Sequence, residues 1–91
     1  MIFYRCYNAH PEGSNWSKTD QKWRVLFSKT KEKVTGTDSI SYSLLMHDNG
    51  EAVWFWQVVS SKMKHIKKEE MPQACQDVLN SYLSGHETEE I

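Results

Sequence analysis

The sequence predicts an α+β fold: a four- to five-stranded antiparallel sheet in a meander, with one C-terminal α-helix packed on one face. Three observations carry this. Residues 39–47, SISYSLLMH, alternate Ile40, Tyr42, Leu44 and Met46 with serines on the other side, the period of a half-buried strand. Asp48-Asn49-Gly50 follows at once, and Asn and Gly both accept the positive φ that a tight hairpin needs. From Glu69 the period changes: Met71, Ala74, Cys75, Val78, Leu79, Tyr82 and Leu83 recur at the three- and four-residue steps of one helix face.

Taken in order, residues 2–7 place Ile2, Tyr4 and Cys6 opposite Phe3, Arg5 and Tyr7, which suits a strand. Residues 8–19, with Pro11, Gly13, two Asn and two Ser, read as a long loop that carries Trp16. Residues 22–28 alternate Trp23, Val25 and Phe27 with Arg24 and Leu26, a second strand. The polar stretch KTKEKVTGTD reads as a connection, although SKTKEK also suits a helical turn. Residues 52–59, AVWFWQVV, form the return strand of the hairpin, and a short lysine-flanked edge strand ends at Ile66. Glu69 and Glu70 favour the positive end of the following helix, Pro72 fits its first turn, and Gly85 ends it. The chain thus reads as one α+β domain over 1–85, with an acidic, frayed tail over 86–91.

Trp54 and Trp56 pose the main question, and the hairpin register decides it. A two-residue turn pairs Met46 with Val53 and sends both tryptophans to the serine side. A three-residue turn, with Gly50 in the left-handed position, pairs Leu44 with Trp54 and Tyr42 with Trp56. A slip of one residue exchanges the two faces, and only the three-residue turn makes one face wholly apolar or aromatic. It also buries the most apolar area, at about 25 cal/mol per Å2. In that register Trp54 and Trp56 are core, and Leu45, Val53 and Phe55 lie on an open second face with Ser41, Ser43, His47 and Gln57.

Composition narrows the function. Ninety-one residues make a single small domain, with little room for a deep active-site cavity. The fractions of 38% hydrophobic, 25% charged and 12% aromatic residues argue for a folded chain. Cys6 and Cys75 make neither a disulfide framework nor a metal or redox motif and read as buried thiols. His10, His47, His65 and His86 are scattered without metal-ligand spacing, and the four glycines form no phosphate loop, so neither a metal nor any other cofactor is expected. No nucleophile, base or carboxylate pair stands out, and the chain reads as non-enzymatic. With no signal-like or membrane-length apolar run, it is expected to be cytoplasmic, with no membrane partner.

Charge is unevenly spread. Residues 17–68 hold ten basic against five acidic side chains, whereas 69–91 hold six acids and no Lys or Arg. A basic surface for an acidic partner is one reading, and charges that attract one another within the fold is the other.

The expected function is a small protein-binding module, an inhibitor, adaptor or regulatory subunit, that binds another protein or itself as a homodimer. Its contact residues are Trp16, Leu45, Val53 and Phe55, on the aromatic loop and the open sheet face. The alternative is single-strand nucleic-acid binding through Lys22, Arg24, Lys62, Lys64 and Lys67 beside the strand aromatics.

Overall fold

A computed structural model describes residues 1–9, 21–36, 40–58 and 63–91. Trp16, with most of its loop, and Lys62 lie outside the described residues. Four strands run as the expected antiparallel meander: β1 (Ile2–Asn8), β2 (Trp23–Ser28), β3 (Ile40–Met46) and β4 (Ala52–Val58). The chain then crosses to the other edge of the sheet, where β5 (Lys64–Ile66) pairs antiparallel with β1. A 3-10 turn, Lys68–Glu70, leads into the main helix, which spans Gln73–Leu83.

The β3–β4 register is that of the three-residue turn. Leu44 faces Trp54, Tyr42 faces Trp56, and Gly50 has φ +85°. A side chain at Gly50 would do more than strain the backbone, because a Cβ there would lie 2.9 Å from the carbonyl oxygen of Ala74. The hairpin tip is therefore pressed against the start of the main helix, where the Cys75 thiol also donates to the His47 carbonyl at 3.1 Å.

Two elements depart from expectation. The tail is not frayed: Thr88–Glu90 forms a strand, β6, parallel to β1. It is tied at both ends, by the Ile2 N–H to the Glu87 carbonyl and by the Ile91 N–H to the Tyr4 carbonyl, each at 2.8 Å. Strand β5 holds residues 6–8 of β1 and β6 holds residues 2–4, so the two share one edge of β1 end to end.

The second departure is a short helix, α1 (Lys31–Thr35), in the β2–β3 connection, where the sequence offered a helical turn only as the alternative to an irregular connection; the main helix is α2. The second sheet face is consequently not left open. Val34 of α1 is fully buried there with Leu26, Tyr7, Ala9 and Met63. A helix this short leaves most of its carbonyls without intrahelical partners. Side chains from the sheet supply them: the Tyr7 hydroxyl donates to the Val34 carbonyl at 3.0 Å, and the Ser41 hydroxyl donates to that of Lys33. Ser41 and Ser43 are buried as a result, their small side chains leaving room for the α1 backbone.

The larger core lies between α2 and the first face, where Cys6, Val25, Leu44, Met46, Cys75 and Leu79 are fully buried. Burial pushes the Cys6 thiol up to about 12 and that of Cys75 up to about 11, so both stay protonated and unreactive at neutral pH. The two halves of the charge distribution meet where the Lys31 ammonium lies 3.4 Å from Glu89, and the backbone N–H of Lys68, an uncharged donor, binds the Glu90 carboxylate at 2.8 Å.

Candidate functional site

Helix and sheet differ in length. Eleven residues of α2 span roughly 16 Å, whereas a seven-residue strand spans about 23 Å. Because α2 starts at the hairpin tip, it runs out before the other end of the sheet. Tyr82, in its last turn, meets Trp54 edge-on at 4.7 Å between centroids, and the Trp54 indole N–H reaches the Tyr82 hydroxyl at 3.3 Å. Past that contact the first face continues without cover from α2.

The uncovered end carries a chain of rings. Tyr42 stacks on Trp54 with centroids 4.4 Å apart and planes 6° from parallel, Trp56 tilts against Tyr42 at 5.2 Å, and Phe27 closes on Trp54 at 5.8 Å. Next to them opens a cleft of about 580 Å³, lined by Ile2, Phe27, Ile40, Tyr42 and Trp56, with Lys29 and Lys33 among its polar residues. A smaller hollow of about 290 Å³ shares Ile2, Phe27 and Tyr42 with it and continues to Trp54, Tyr82 and Leu83. Trp56 is 65% exposed, Ile40 59% and Tyr42 39%. Of the two tryptophans assigned to the core, only Trp54 is partly buried. Trp56 has the facing direction expected of it but not the burial, because no part of α2 reaches it.

The sequence-derived contact residues fall elsewhere. Val53 and Phe55 are 47% and 58% exposed on the second face, on the outermost strand, and Leu45 beside them is half-buried. They form a strip at the sheet margin rather than the centre of an open face.

The basic residues are not gathered. Lys22 is held by Asp48 at 3.2 Å and lies over the Trp23 ring, and Arg24 is buried. Lys64 and Lys67 are exposed at the far edge, with Lys64 at the opposite end of the sheet from the cleft. The lysines that line the aromatic cleft are Lys29 and Lys33, which strand periodicity had no reason to single out. The one legible signal was Gly85, which fixes where α2 stops.

Among the described residues, no group of three or more His, Cys, Asp or Glu side chains could hold a metal ion, and no helix is long and apolar enough to cross a membrane. No protein-family model, curated protein or solved structure matches this chain.

Proposed function

We propose that this chain is a small, non-enzymatic protein-binding module of the cytoplasm, acting as an inhibitor, adaptor or regulatory subunit through the cleft beside Trp56. The observation that carries the reading is the cleft itself: apolar, about 580 Å³, walled by exposed Trp56, Tyr42 and Ile40, with two lysines in its lining. Exposed aromatic anchors in a concave apolar site are the usual energetic centre of a protein contact. Lys29 and Lys33 select a partner segment in which an apolar or aromatic side chain is flanked by acids.

A photo-crosslinking residue at position 40, expressed in host cells, tests this. A discrete adduct that disappears in Trp56→Ala and weakens in Lys29→Glu/Lys33→Glu is the expected result. An adduct indifferent to Trp56→Ala, or none, overturns it.

One observation favours a second reading, single-strand nucleic-acid binding: the same two lysines and exposed rings could hold a phosphate and stack a base. Against it, Lys22, Arg24 and Lys64 form no phosphate track leading to the cleft. Titrating tryptophan fluorescence with oligothymidine at low salt separates the readings, since salt-sensitive quenching belongs to the nucleic-acid case alone.

A further inference from the structure

The sheet has two margins, and they are built differently. On the β5 side the strand is three residues long, exposes Lys64 and His65, and is followed by Lys67, while β6 completes the same edge. Short strands and lysines are how natural sheets keep an edge from pairing with other chains. On the other side β4 is seven residues long and reads AVWFWQV, with no charge, no proline and no glycine. Among the described residues no strand pairs with its outer side.

The ladder identifies the outward backbone groups. The His47 N–H donates to the Glu51 carbonyl at 3.0 Å, so residues 47 and 51 form a hydrogen-bonded antiparallel pair. Such pairs alternate along the ladder. Val53, Phe55 and Gln57 therefore turn their N–H and C=O toward β3, whereas Ala52, Trp54, Trp56 and Val58 turn theirs away from the sheet.

We infer that a second copy of this chain pairs its β4 antiparallel against this edge, with Phe55 on the two-fold axis. That register overlaps the whole strand and pairs every outward group: 52 with 58 of the other copy, and 54 with 56. It sets Phe55 against Phe55 on one face and Trp54 against Trp56 on the other, with no like charges brought together. Trp54 of the second copy then walls the Trp56 cleft on its outer side. The inference thus deepens the reading of that cleft as a protein-binding site, and rests on it.

Size sets the strength. Phe and Trp side chains offer roughly 150–250 Å2 each, so β4 contributes on the order of 400 Å2 per copy, about half of a standard interface. An interface at this small end of the range is a weak and transient one, for which a micromolar dissociation constant is the value to test.

Sedimentation equilibrium from about 1 to 300 μM brackets that range. The weight-average mass is expected to climb from 10.7 kDa toward twice that value, and to stay at the monomer mass in Phe55→Lys, whose far-UV circular dichroism and unfolding midpoint match wild type. Register is read by oxidising Phe55→Cys and Val53→Cys. Paired Cα atoms across the axis stand about 4.5–5.5 Å apart, within disulfide reach, so position 55 cross-links to itself and position 53 does not; Cys6 and Cys75, both buried, stay silent. A monomer throughout, a dimer that survives Phe55→Lys, or cross-linking at 53 in preference to 55 overturns the inference. The photo-crosslinking at position 40 is read independently: an adduct to another protein in a chain that stays monomeric leaves the cleft reading standing without the dimer.

Discussion

The first sheet face has two halves made from one alternating pattern, and they end in opposite environments. Near the hairpin tip, Leu44, Met46 and Val25 are sealed under α2; at the other end, Ile40, Tyr42 and Trp56 stand in water. Side-chain direction is the same in both, so the pattern decides which face a residue takes. Burial is decided by the reach of a separate element, the eleven-residue helix. An apolar residue on a core-facing position is thus core only as far as its cover extends.

Substitutions sharpen this contrast, and the largest effect belongs to the covered half. Leu44→Ala leaves a cavity between sheet and helix and is expected to cost ~2–5 kcal/mol in urea denaturation, whereas Ile40→Ala, on the same face of the same strand, should cost under ~1 kcal/mol. Equal losses at the two positions would show that the uncovered end is packed after all.

Next is the contact that sets where α2 begins. Gly50→Ala forces a side chain into a φ of +85° and against the Ala74 carbonyl, and should cost about 1–3 kcal/mol in the same assay. Trp56→Ala should change the unfolding free energy by no more than ~1 kcal/mol while removing whatever binds the cleft. A large loss of stability there would return Trp56 to the core.

The smallest effect is pH-dependent and sits at the guarded margin. His65 takes a hydrogen bond from Arg5 on one ring nitrogen, at 3.0 Å, and through the other donates to the Ile91 carbonyl, at 3.1 Å. Burial, then the Arg5 guanidinium, holds its pKa below the ordinary imidazole value, with Lys67 acting in the same direction and Ile91 and Glu90 opposing. Folding thus favours the neutral ring. Its contribution is fully present above the unfolded value of about 6.5 and is lost as pH falls from there through the folded pKa. The denaturation midpoint should decline below that pH in wild type and decline less in His65→Gln.

Much of this was legible in the sequence. The alternation of 39–47 favoured the register that the structure has, since only that one makes a coherent face, but the Asp48-Asn49-Gly50 turn by itself admitted two registers and left the choice open. The period from Met71 to Leu83 marked α2. What escaped notice has physical causes. Helix α1 showed in the sequence only as the helical-turn alternative for SKTKEK, because it has five residues and one buried side chain, Val34, too few for a period to show. Strand β6 is Thr-Glu-Glu, whose order comes from backbone pairing with β1 and not from any apolar pattern. The cleft depends on the difference in length between a helix and a strand from different parts of the chain, and no local window contains both.

The shared edge of β1 bears on how the chain folds. Residues 2–8 find their partners at 23–28, 64–66 and 88–90, so the first strand waits on segments from three distant parts of the sequence. Loop closure over such separations is slow, which puts folding of this mixed domain behind that of helical bundles, whose contacts are local. A fragment that stops before Thr88 exposes the outer side of Ile2–Tyr4 while the α2 core is otherwise complete. That leaves a nearly folded species with one open strand, for which association competes with the final step of closure.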